Sequence, residues 1–328
     1  MKKKSLVFLA LFLMLLVSAC GNKEVNKQTK AGEGEKLNVY TTVYPLQYFT
    51  ERIGGDLVNV QSIYPAGADE HSFEPTQKDM IALSDADLFF YIGLGLEGFV
   101  ENAGKTLKNE HVEFVATAAS ISEEQLEGHQ HEDEHEDEHE NDQEDSDEHG
   151  HNHSKFDPHV WISPKLSIEL ANSIKEALIS KMPAQQETFV KNFDLLEDDL
   201  IELDERFKEM ADQAATKTFF VSHAAFGYIA DEYGLHQVAI AGLNSQSEPS
   251  QKQLAAIVEQ AKDENVQYIL FEQNVSSKLA EVIKNEVGAE SLTLHNLGVL
   301  TQEDIKNEET YFTLMERNLT VFERALSK

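Results

Sequence analysis

The chain has one cysteine, Cys20, among its 328 residues. It has no second thiol for a disulfide and no thiolate cluster for a metal, so any metal site must be built from His, Asp and Glu. No apolar run reaches the ~20 residues needed to span a bilayer as a helix. No stripe of Lys or Arg exists, which removes the electrostatic footprint of a nucleic-acid binder. HExxH strings occur only at 131–135 and 135–139, inside the acidic tract and on no apolar helical pattern, and neither G-x-S-x-G nor a phosphate-binding loop occurs, so the usual contexts of zinc peptidases, α/β-hydrolases and nucleoside triphosphatases are missing. Basic residues are also absent from 123–149, where 15 acidic side chains gather. That stretch dominates the net charge of −32, and the remainder is ordinarily acidic. Apolar content of 41% and charged content of 26% fit a globular protein, and the length favours about two domains of ~150 residues.

The N-terminus indicates the compartment. Lys2, Lys3 and Lys4 precede the apolar run Leu6–Val17, which has signal-peptide length. Small residues, Val17-Ser18-Ala19, lead into Cys20. This resembles a bacterial lipobox, so residues 1–19 are expected to be cleaved and Cys20 to be lipidated. Residues 20–35 are polar, without apolar periodicity, and read as a flexible tether. The chain is then expected outside the cytoplasm, anchored to the cell membrane.

Beyond the tether, short apolar runs alternate with helical patterns, and strands alternating with helices imply a mostly parallel sheet. A first lobe is expected over 36–183 and a second over 215–328. Between them, over 184–214, Phe189, Phe193, Leu196, Leu200, Leu203, Phe207 and Met210 recur at spacings of 4, 3, 4, 3, 4 and 3. That is one apolar face of a long helix. We expect a rigid strut packed on both lobes, in preference to a coiled-coil dimer segment, and hence a monomer. The fold class is therefore α/β, with two βαβ lobes joined by one long rigid helix. The first lobe carries an insertion, 120–156, that reads as disordered. Seven histidines (His129, His131, His135, His139, His149, His151 and His153) alternate there with carboxylates and lack apolar residues to fix them. This loop is expected to bind metal weakly and to be auxiliary.

Six histidines remain. His71, His159 and His223 lie just beyond an apolar strand or at a strand-to-helix turn, where open α/β sheets place their ligands. Two come from the first lobe and one from the second, so a ligand common to all three would sit in the interlobe cleft. Neutral imidazole is the commonest transition-metal ligand, and three of them suit Zn²⁺, with water or a carboxylate as the fourth group. His111, His236 and His295 lack that context and are read as ordinary hydrogen-bonded residues. A zinc hydrolase with Glu70 as its base and a surface adhesin with a structural metal are rival readings. A metal-attracting tract beside the site favours capture over turnover.

The motifs GADEHSFEPT (67–76), DPHVWISP (157–164) and SHAAFGYIA (222–230) resemble the ligand motifs of the zinc-binding lipoproteins of bacterial ABC importers, the ZnuA-like or AdcA-like group. The lipobox, the His-rich loop and the long helix resemble that group too. The resemblance covers the chain from about Leu37 onward. It implies a solute-binding protein that captures Zn²⁺ as its transported ligand and delivers it to a membrane permease and its ATPase. It is not an enzyme in that group. His71, His159 and His223 match the three histidine ligands. Manganese-binding relatives are expected to place a carboxylate at the third position, which is His223 here, so a manganese or other divalent-metal carrier is the alternative. A late position that holds Glu in some zinc relatives is Gly298. The fourth ligand is therefore water, with Glu70 or the loop as alternatives. A stiff strut disfavours a wide hinge, so small local change on binding is expected. Affinity should fall as pH drops through the imidazole range near ~6.5.

Overall fold

The computed structural model describes residues 36–127, 156–244, 247, 249–274 and 277–327. Cys20 and the seven loop histidines lie outside the described residues. The described residues form one compact unit.

Two four-stranded parallel sheets carry the fold. The first holds β1 (Leu37–Thr41), β2 (Val58–Ser62), β3 (Leu88–Tyr91) and β4 (Glu113–Ala116) in the order β2-β1-β3-β4. The second holds β5 (Thr218–His223), β6 (His236–Ala241), β7 (Tyr268–Glu272) and β8 (Glu290–Leu294) in the order β6-β5-β7-β8. The cores of β3 (LFFY) and β5 (TFFVSH) are nearly continuous apolar runs, as a sheet buried on both faces demands. In each sheet the strand order reverses beside the first strand, and the crevice outside the carboxyl ends at that point is the usual ligand position.

Most helix starts are chemically specified. Thr76 and Asp79 form a capping box for Gln77–Ser84, as do Ser250 and Gln253 for Gln251–Asp263. Ser163 caps Pro164–Lys181 by accepting from the Leu166 amide, with proline in the first turn. Gly288 ends Lys278–Val287 in the left-handed conformation at φ 73°.

The long helix runs from Gln186 to Gln213, 28 residues or about 42 Å. Its buried face is the expected seam, Phe189 to Met210, with Ala211 added. One apolar cluster includes this face and residues of both lobes, whereas a smaller cluster around Phe220, Ile240, Ile269 and Ile283 belongs to the second sheet alone. The strut is thus part of a core that both halves share.

One local expectation is corrected, and two details are added. The expected insertion 120–156 is too wide at both ends. Glu123–Glu127 is helical, held by buried Ile121 and Leu126 and by Ser122 and Gln125 capping each other, and Phe156 already packs against the core. The helix after His223 starts at Gly227; ahead of it the His223 carbonyl accepts from the Ala225 amide at 2.9 Å, and the Phe226 amide donates to Gln237 Oε1 at 2.8 Å. A short helix, Gln302–Lys306, precedes the last one, Tyr311–Ala325.

Candidate metal centre

His71 is set by the loop after β2. Asp69 Oδ1 accepts from the His71 amide at 2.9 Å, and Gly67 takes a φ of 75° that lets its amide donate to Leu300 O in the second lobe at 3.0 Å. Asn274 Nδ2 donates to Ala68 O at 3.1 Å, a second tie across the lobes. His159 is fully buried, and Asp157 Oδ1 accepts from both its amide (2.9 Å) and its Nδ1 (2.7 Å). The adjacent Trp161 Nε1 donates to Asn296 O at 2.7 Å, docking this segment on the second lobe. His223 is the last residue of β5, and its Nδ1 faces Glu272 Oε1 at 3.0 Å while its Nε2 faces Leu243 O at 3.0 Å.

These three elements bring the imidazoles together. Ring centroids are 5.1 Å apart for His71 and His159, 5.2 Å for His71 and His223, and 4.9 Å for His159 and His223. One nitrogen from each falls within 4.8 Å of the others, and among the described residues this is the only such group of His, Cys, Asp or Glu. His159 Nε2 and His71 Nε2 are 3.2 Å apart. Two nitrogens on a tetrahedral zinc with bonds of 2.0–2.1 Å stand about 3.3 Å apart, so the pair is spaced as one edge of such a site. Asp157 accepts a hydrogen bond from His159 Nδ1–H and so turns the Nε2 lone pair inward, the usual outer support of a metal-bound imidazole. Glu272 has the corresponding place behind His223.

The electrostatics are uneven. Burial, reinforced by the neighbouring His159 and His223, lowers the His71 pKa to about 2, so this ring is neutral throughout the physiological range. Burial acts the same way on His223, but the charge and hydrogen bond of Glu272, the Leu243 carbonyl and Glu70 outweigh it and push its pKa up to about 9. Burial, with the nearby Glu272 charge, pushes the Glu70 carboxyl up to about 7.

Glu70 does not join the three imidazoles. Its Oε1 accepts from Asn296 Nδ2 at 2.9 Å, and its Oε2 is buried without a hydrogen-bond partner. The reason it fits there is Gly298. A Cβ built on Gly298 would lie 2.7 Å from the Glu70 carboxyl carbon. Gly298→Ala is therefore expected to displace the Glu70 carboxylate and to destabilise the metal-free protein by about 1–3 kcal/mol, as overpacking does. Thermal unfolding of the metal-free variant checks this, and an unchanged midpoint would contradict it. Of the histidines set aside, His295 is buried and structural: its Nδ1 accepts from the Leu297 amide at 2.9 Å, so Nε2–H donates to Asp304 Oδ2 at 3.1 Å. His111 and His236 are exposed.

Residues 39–325 match the family described as zinc-uptake complex component A, periplasmic. The zinc-binding lipoprotein AdcA of Streptococcus pneumoniae (strain ATCC BAA-255 / R6) is 38% identical over 324 residues, covering 97% of this chain; the chain spans 60% of that relative's length. The high-affinity zinc uptake system protein ZnuA of Bacillus subtilis (strain 168) is 38% identical over 325 residues, covering 99% of this chain and 98% of that protein. Among solved structures, the Zn(II)-bound ZnuA-like domain of Streptococcus pneumoniae AdcA superimposes with a TM-score of 0.71 at 34% identity, over 89% of this chain and 100% of that one. With a family match that spans both sheets, the long helix and all three histidine-bearing segments, the chain belongs to the zinc-uptake complex component A family.

Proposed function

We propose that this chain captures Zn²⁺ outside the cytoplasm and hands it to an ABC permease and its ATPase. The observation that carries the reading is the convergence of three imidazole nitrogens, His71 and His159 from one lobe and His223 from the other, within 4.8 Å. An all-nitrogen set favours Zn²⁺ over Mn²⁺ or Mg²⁺, which prefer oxygen. Water takes the fourth position, since Glu70 is turned to Asn296. The zinc is cargo, so the protein binds and releases it and does not turn over a substrate. Lipidated Cys20 anchors the chain to the membrane, and 20–35 is the tether that lets a monomer reach its permease. The lobes share one core with the long helix, which supports local loop adjustment over a wide hinge when zinc enters. The His-rich tract within 128–153 serves to raise the local metal concentration.

Uptake of radioactive zinc by cells deprived of this protein tests the reading. Uptake is expected to return with the wild-type chain and not with His71→Ala. A chain lacking 128–153 is expected to keep the tightest zinc-binding step in vitro. Full uptake with His71→Ala would remove the transport reading, and loss of the tightest step on deletion would move the principal site into the tract.

A further inference from the structure

We infer that Asn296, which belongs to none of the three histidine motifs, is the positioning residue that ties both halves of the centre together and sets its zinc affinity; the inference rests on reading His71, His159 and His223 as the zinc site. Asn296 is fully buried. Its Nδ2 lies between two carboxylates from different lobes, donating to Glu70 Oε1 at 2.9 Å and to Glu272 Oε2 at 2.8 Å. Its Oδ1 accepts from Gln273 Nε2 and from the Gly298 amide, both at 3.0 Å. Its own amide donates to Gln273 Oε1 at 3.0 Å, and its carbonyl accepts from Trp161 Nε1 at 2.7 Å. Every polar atom is engaged, and the amide has one orientation. A flip would turn Oδ1 toward two carboxylate oxygens and Nδ2 toward two donors.

This one residue reaches all three ligand segments. Glu70 adjoins His71, and Trp161 lies two residues beyond His159. Glu272 holds His223 Nδ1 with its other oxygen at 3.0 Å. The turn that presents Asn296 is itself clamped. Asn318 exchanges hydrogen bonds of 2.7 Å with both the amide and the carbonyl of His295, and Leu297 is fixed at a φ of 58°. A left-handed leucine is costly, and such strain gathers where a side chain has to be aimed.

Competition titrations against a chromophoric chelator, on the full chain, test the inference. Asn296→Ala is expected to weaken zinc binding by about 10- to 100-fold, the range seen when outer support of a ligand is removed. In a Glu70→Gln, Glu272→Gln background the same change is expected to cost less than about threefold, because the groups that Asn296 positions have already been altered. A residue that merely supports the fold would add its cost in full. Asn296→Asp keeps the volume and the acceptor but loses the donor, and is expected to be at least as weak as Asn296→Ala. In the metal-free Asn296→Ala protein, the His223 Nδ1–H proton is expected to exchange faster with solvent. Wild-type affinity in either Asn296 variant, or full additivity, overturns the inference. His159→Ala serves as the control. If it binds zinc like wild type, the zinc-site reading and this inference fall together; if it loses zinc while Asn296→Ala does not, this inference alone falls.

Discussion

His159→Ala is expected to weaken zinc binding by about a thousandfold or more, equivalent to about 4 kcal/mol. His159 is the best fixed of the three rings. It is fully buried, and Asp157 holds both its amide and its Nδ1. Its Nε2 stands 3.2 Å from that of His71, the spacing of two ligands on one zinc ion. Removing it leaves two imidazoles whose centroids are 5.2 Å apart, one of them on a surface loop, and water fills two coordination positions instead of one. The substitution also leaves Asp157 Oδ1 with only the backbone amide as donor in a buried site, so some loss of stability accompanies it. Zinc competition on the metal-free variant, together with its thermal midpoint, separates the two effects. A folded His159→Ala protein that binds within tenfold of wild type would mean that the zinc is held elsewhere.

Much of this site was legible in the residues themselves, for a physical reason. A histidine immediately after an apolar strand has few uses that do not involve a ligand or a turn. His223 lay in such a place and His71 and His159 lay in turn motifs, the first in the loop beyond β2 and the second just before the short turn Val160–Ile162, and the long helix announced its buried face by its seven-residue repeat. What was not legible is the layer behind the ligands. Glu272 ends an apolar strand, and only the pairing of β7 beside β5 brings it against His223. Asn296 follows β8 and belongs to no motif that marks it in the sequence. Its role depends on Glu70, 226 positions away in the chain, and on Trp161 from the other lobe. Gly298 read as a missing ligand, whereas the structure makes it the space that the Glu70 carboxylate fills.

Zinc binding at pH 7.5 is expected to release about one proton, and the affinity is expected to rise about tenfold per pH unit up to pH ~9. The reading from sequence put this dependence near ~6.5, the ordinary value of histidine. The geometry moves it upward. His223 has an acceptor on each ring nitrogen, Glu272 on Nδ1 and Leu243 O on Nε2, so without metal the ring carries both protons and its pKa is pushed up to about 9. Zinc needs the Nε2 lone pair and therefore displaces that proton, whereas Nδ1–H stays on Glu272. His71, lowered to about 2 by burial and by its two neighbouring rings, contributes no proton competition at these pH values. The sign for the metal-free protein follows from the same shift. The His223–Glu272 pair contributes its full stability below the unfolded value near 6.5 and loses it as pH rises through about 9. Metal-free protein is thus less stable at pH 9 on this account, while zinc binds most tightly there. Calorimetry of zinc binding in buffers of different ionisation enthalpy counts the protons directly. Glu272→Gln is expected to reduce the release at pH 7.5 well below one proton and to flatten the pH dependence of affinity. Affinity that stays level between pH 7 and 9 in the wild type would show that His223 is already neutral before the metal arrives.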